Sequence, residues 1–203
     1  MATRSINQVD DIVQQFAILS ARQSTILVAV DGCGGAGKTL LATRLSRTLE
    51  ATDRRAQVIH FDDFHLPSAF RPAGEAREKP VGVDFDWRRL CKQVLVPLRA
   101  ERAAIYARYD WATDTLAERH TVSAGATVIV EGIYTSRREL APLYDFRVWV
   151  DCPRDLRLRR GIERDGEESR ARWERDWMPN EDRYVEEHRP NQTADLIVSG
   201  NDS

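Results

Sequence analysis

The residues best suited to chemistry lie near the start of the chain. Gly32-Cys33-Gly34-Gly35-Ala36-Gly37-Lys38-Thr39 satisfies the spacing G-x-x-x-x-G-K-[ST] in full. A polyphosphate must be wrapped by backbone N–H groups, and side chains would obstruct that approach. The glycines of the segment permit the backbone angles this needs, and a helix starting at Lys38 adds its positive amino-terminal end. The segment Gly32, Gly34, Gly35, Ala36, Gly37, Lys38 and Thr39 is therefore expected to bind a nucleoside triphosphate. Lys38 would reach the β- and γ-phosphates, and the Thr39 hydroxyl would ligate Mg²⁺.

Moving a phosphoryl group further requires metal ligation and a group that orients or deprotonates the attacking hydroxyl. Asp62 and Asp63 directly follow an apolar run, in His60-Phe-Asp-Asp-Phe-His65. The carboxyl ends of parallel strands line the ligand crevice, so a carboxylate there is a candidate general base and metal neighbour. Glu131 ends Thr127-Val-Ile-Val and fits an acidic Mg²⁺-holding position after a strand. Asp151 also ends an apolar run, but Cys152-Pro153 follows, and the expectation is that it caps the next helix. Arg157, Arg159, Arg160, Arg164, Arg170 and Arg172 interleave with Glu163, Asp165, Glu167 and Glu168. Most of these arginines read as a solvated helix, with two or three closing over the phosphates as a lid. The four histidines show no metal spacing, and His65 stands out only for its place beside the carboxylates.

Positioning these groups requires a particular order of elements. Val9, Ile12, Val13, Phe16 and Leu19 lie at helical spacing over 9–20. The run 25–30 reads as a buried strand, Lys38–Glu50 as a helix with Leu41, Leu45 and Leu49 on one face, and 57–61 as a second strand. Further strands are predicted over 127–130, 146–150 and 196–198, a helix over about 87–98, and a small hairpin within 104–122. Strand, loop, helix, strand points to a mainly parallel sheet with crossover helices on both faces, a three-layer α/β P-loop NTPase fold. One domain spans 1–203, with the lid over about 155–176 and an acceptor-side segment over about 66–122.

Composition bounds the partners. A net charge of −2 gives no basic surface for nucleic acid. No apolar run is long enough to span a membrane, and Met1 to Asp11 lacks a signal-peptide pattern. Cys33, Cys91 and Cys152 form no metal or disulfide pattern, so reduced thiols and a cytoplasmic location are expected. A homo-oligomer is compatible with everything in the sequence, and no interface can be named from it.

These motifs together resemble the uridine kinase and phosphoribulokinase group of P-loop kinases. Phe61-Asp62-Asp63-Phe64-His65 is similar to the family's Asp-Ser-Phe-Tyr/His segment, which implies Asp62 as catalytic base and places His65 at the acceptor. Tyr109-Asp110-Trp111 resembles the hairpin segment whose Tyr holds the nucleoside, and Glu131-Gly132-Ile133 resembles the Mg²⁺-associated segment. Arg157 through Asp165 resembles the start of the lid, implying phosphate contacts from Arg160 and catalytic Arg164. Ala194 to Gly200, with Asp195, is similar to the segment packed near the adenine. There are departures: Asp114 stands where uridine kinases carry a nucleoside-site His, and Gly161 replaces the second Arg of a lid pair. The family's Asp-His-Pro-Asp segment is not recoverable around Val81 to Asp84. The resemblance implies ATP- and Mg²⁺-dependent phosphorylation of a small hydroxyl-bearing acceptor, first of all uridine or cytidine. A pantothenate, sugar or glycerate acceptor remains open, as does a nucleotide-hydrolysing switch with no small-molecule acceptor.

Overall fold

A computed structural model describes residues 4–5, 9–74 and 78–201. Its centre is a parallel sheet whose strands are β1 (Arg4–Ser5), β2 (Ile26–Asp31), β3 (Ala56–His60), β6 (Thr127–Glu131), β7 (Phe146–Asp151) and β8 (Leu196–Ser199), in the order β1-β8-β7-β2-β6-β3. An antiparallel hairpin of β4 (Ala104–Asp110) and β5 (Thr115–Val122) stands apart from it. The predicted strands are all present, within a residue or two of their expected ends.

β2 is buried at every position, because helices cover both faces of the sheet. Alternate side chains enter different layers, as the twofold period of a strand requires. Ile26, Val28 and Val30 pack with Ile12 and Phe16 of α1 (Val9–Ser20) and with Leu41, Leu45 and Leu49 of α2 (Lys38–Glu50). Leu27 and Ala29 face the other way, into a cluster with Leu90, Val94 and Leu98 of the helical run 87–99, here α3.

After β7 the chain forms α4 (Arg154–Asp165), turns at Gly166 with φ 88°, and continues as a longer helical run, 170–188, here α5. A short α6 (Pro190–Thr193) leads into β8. The basic helix predicted from Asp155 onward is thus two helices. α4 opens on Pro153 with no side-chain cap, so the capping expected of Asp151 is not observed. Within α5 one wide i→i+5 turn, Trp173–Trp177, brings two tryptophans to bear on the loops above the sheet.

Gly161 now has an explanation. A Cβ on it would lie 2.4 Å from the Trp173 ring, so the helix can pack there only with glycine. The position that the resemblance matched to the second Arg of a lid pair is here packed against a tryptophan. Gly161→Ala is expected to destabilise the protein by about 1–3 kcal/mol through overpacking. Chemical denaturation checks this, and an unchanged midpoint would show that Trp173 is free to shift.

Candidate active site

The sheet register brings the chemistry together. Glu131 pairs with Val30 on one side and with His60 on the other. The residues that follow these partners, Asp31-Gly32 and Phe61-Asp62, therefore leave the sheet at one level. The phosphate loop bends over this edge with Gly35 at φ 74° and Gly37 at φ 98°, left-handed conformations that a Cβ disfavours. Gly37 ends the loop and α2 starts at Lys38.

A cavity of about 520 Å³ opens at this edge. Gly34, Gly35, Lys38, Thr39, Asp62, Glu131 and Arg164 form its phosphate-loop end. His65, Gly82, Asp84, Phe85, Trp111 and Tyr134 form the far wall, and Arg172, Trp173, Trp177, Asn180 and Glu181 of α5 cover it. Lys38 Nζ donates to the Cys33 carbonyl at 3.0 Å, folded back along its own loop. Thr39 Oγ1 donates to Glu131 Oε1 at 3.2 Å, and His60 Nδ1 lies 2.5 Å from the same oxygen. That contact raises the His60 pKa.

The two adjacent carboxylates face different surroundings. Asp63 accepts from the Tyr106 hydroxyl at 2.8 Å, while Arg89 donates to its carbonyl at 2.9 Å, tying the turn to the hairpin and α3. Asp62 reaches the cavity, where the crowding walls and then Glu131 raise its pKa. A carboxylate so placed is a better proton acceptor than an ordinary aspartate. Thr39 and Glu131, 3.2 Å apart, and Asp62 offer hard oxygen donors in the lining of one cavity. Mg²⁺ fits such a set, because it uses few protein oxygens and fills its octahedron with water and phosphate. Among the described residues no group of three His, Cys, Asp or Glu could hold a metal without such help.

Other expected site residues fall elsewhere. Tyr109 and Asp114 do not line the cavity. Asp114 turns the hairpin at φ 53° and accepts from the Tyr109 hydroxyl at 2.6 Å, the Ser68 N–H at 2.9 Å and the Ser68 hydroxyl. These donors hold its pKa down at about 2, and its carboxylate anchors the hairpin tip. Arg160 lies behind the phosphate loop, donating to the carbonyls of Gly200 at 2.8 Å, Asn201 at 3.2 Å and Gly35 at 3.4 Å. Asp195 sits at the amino end of β8, where its carboxylate accepts from the Arg147 N–H at 2.8 Å. The whole strand separates it from the phosphate loop, and Gly200 at the other end is the residue that abuts Ala36.

Sequence reading missed four residues. Asp31 is fully buried and its carboxylate accepts three bonds: from the Gly32 N–H at 2.7 Å, the Ser136 N–H at 2.7 Å and the Tyr184 hydroxyl at 2.6 Å. Glu181, one turn before Tyr184, accepts from the Gly34 N–H at 3.0 Å and from Arg157 at 2.8 Å. Asp84 lines the far wall with one carboxylate oxygen buried and without a partner among the described residues. The only signal available was for Asp31, an acid closing an apolar strand directly before a glycine loop.

Comparison with known proteins identifies the family and the fold. The profile of the phosphoribulokinase / uridine kinase family matches residues 27–199. The chain is similar to uridine kinase of Mycoplasma pneumoniae, 28% identical over 85% of this chain and 84% of the relative. Among solved structures it resembles one from Bacillus stearothermophilus described as a possible uridine kinase, with a TM-score of 0.76, 26% identity and coverage of 95% of this chain and 97% of that one. It also shares its fold with a Silicibacter structure described as a candidate fructose transport system kinase, with a TM-score of 0.74, 24% identity and coverage of 94% and 98%.

Burial raises the Asp31 pKa from 3.8 to about 6, so the folded protein keeps a proton that the unfolded chain releases. Its contribution to stability is greatest in acid and declines as pH climbs through 6. The Tyr184 bond favours the ionised form, so Tyr184→Phe is expected to cost about 1.5–3 kcal/mol when Asp31 is charged and less when it is protonated. Denaturation at pH 8 and pH 5 checks this: an equal penalty at both would contradict the assignment.

Proposed function

Because the chain belongs to the phosphoribulokinase / uridine kinase family and is a P-loop kinase, we propose that it transfers the γ-phosphoryl group of ATP, with Mg²⁺, to a hydroxyl of a nucleoside such as uridine or cytidine. The observation that carries this reading is that one cavity holds both the phosphate loop and the Asp62 carboxylate. A nucleotide switch has no need of a carboxylate facing an acceptor compartment.

In this reading the loop N–H groups and Lys38 bind the triphosphate, and Lys38 leaves the Cys33 carbonyl to do so. Mg²⁺, when bound, neutralises phosphate charge, with Thr39, Glu131 and Asp62 as its protein neighbours. Asp62 orients the acceptor hydroxyl and takes its proton. The new O–P bond forms as the bond to the ADP leaving oxygen breaks. Arg164, exposed at the rim and braced by Asp165 at 2.7 Å, supplies positive charge to the transferring group. His65, Phe85, Trp111 and Tyr134 suit the faces of a flat heterocycle, and the unpartnered oxygen of Asp84 suits a sugar hydroxyl. A second acceptor class, a charged sugar or glycerate-type acid, is favoured by Lys79 and Arg172 in the same lining.

Three outcomes test the reading. Turnover is expected to require an added acceptor, uridine or cytidine, in a panel that includes pantothenate, sugars and glycerate. Hydrolysis indifferent to every acceptor would support the switch instead. Asp62→Asn is expected to lower kcat by about 10²–10⁴-fold with nucleotide affinity little changed. Normal turnover by this variant would remove Asp62 as the base. Thr39→Ala and Glu131→Gln should each raise the Mg²⁺ concentration needed for half-maximal rate, and an unshifted requirement would take that residue out of the metal site.

A further inference from the structure

The phosphate loop already holds a carboxylate. Oε1 of Glu181 accepts from the Gly34 N–H at 3.0 Å, inside the cavity where Lys38 and Thr39 lie. Oε2 of the same carboxylate accepts from Arg157 at 2.8 Å, and both side chains are buried. Trp173 of α5 closes over the same glycine, so that a Cβ on Gly34 would lie 2.8 Å from the indole and 2.8 Å from Oε1. Gly34 is the third residue of the loop, and its N–H is a backbone donor in the cavity lining shared with Lys38 and Thr39.

We propose that Glu181 is a stand-in anion that competes with the triphosphate for the phosphate loop and thereby sets nucleotide affinity. The proposal rests on the kinase reading above. Its physical basis is charge. The loop end of the cavity carries Asp62, Glu131 and Glu181 against Lys38 and Arg164. A triphosphate brings several further negative charges into this space, and a fixed carboxylate within one hydrogen bond of the loop opposes them. Arg157 offsets part of that opposition while it is paired with Glu181. When phosphate takes the Gly34 N–H, the guanidinium keeps an anionic partner, either the withdrawn carboxylate or a phosphate oxygen. Because Glu181 and Trp173 lie on one helical run, giving up Gly34 shifts α5 over the cavity. Nucleotide binding is in this way linked to the cover of the acceptor compartment.

An ordinary packing role for the Arg157–Glu181 pair predicts the opposite result, since breaking a buried pair weakens whatever it supports. The test is calorimetric titration of the full chain with a non-hydrolysable imido analogue of ATP and Mg²⁺, and separately with adenosine. Glu181→Gln retains an oxygen for the Gly34 N–H and removes the charge. It is expected to bind the analogue roughly tenfold more tightly and adenosine as the unaltered protein does. Unchanged or weaker binding of the analogue by a cooperatively folded Glu181→Gln protein overturns the proposal. Should that variant fail to fold, Glu181→Asp keeps the partner of Arg157 and draws the carboxylate back from Gly34 by one methylene. It is expected to bind the analogue severalfold more tightly, and no change overturns the proposal. An unaltered protein that binds no triphosphate overturns the kinase reading as well, which separates the two failures.

Discussion

The carboxylate of Asp31 has no exposure to solvent, and an ion there would be costly without compensation. Three donors supply it, and each comes from a different part of the chain: the Gly32 N–H from the phosphate loop, the Ser136 N–H from the segment after β6, and the Tyr184 hydroxyl from α5. Desolvation still prevails over these bonds and lifts the pKa to about 6. The same bonds fix where the phosphate loop leaves β2 and where α5 crosses above it. With Glu181 accepting from Gly34 on the same helix, α5 holds the end of β2 and the loop after it at two points three residues apart.

The second constraint is the parallel register. Glu131 stands level with Val30 and His60, so the phosphate loop, the Asp62 turn and the acidic strand end emerge side by side. Ordinary backbone ladders thus bring Lys38 and Thr39 together with two carboxylates, Asp62 and Glu131, that are far from them in sequence. From there the surroundings divide their roles. Asp62 opens to the cavity, and its neighbour Asp63 is taken up by Tyr106 in holding the hairpin.

The positions that depart from the resembled pattern have structural partners that can be read atom by atom. The Asp114 carboxylate is bonded to Ser68, Tyr109 and Arg71. Gly161 leaves the space in which Trp173 packs against α4. The far wall is instead built from Asp84, Phe85, Trp111 and Tyr134, with Trp177 and Asn180 added from α5. The cavity lining thus joins Asp84, Phe85 and Trp111 of the 66–122 segment with Tyr134, Trp177 and Asn180 from beyond it.

By itself the sequence determined the strand order of signals, the phosphate loop, and the candidacy of Asp62 and Glu131. These features are local: a buried strand is a run of apolar residues, and a phosphate loop is a spacing of glycines before a helix. Tertiary structure alone decided which charged side chains face the cavity. Tyr109, Asp114 and Asp195 look as available in sequence as Asp62, yet their oxygens are committed to partners 5 to 48 residues away. Glu181 and Tyr184 show only helical spacing in a charged stretch, and their meaning arises when α5 crosses a loop 147 and 153 residues distant. A hydrogen bond of that separation leaves no periodicity behind, so only the folded chain reveals it.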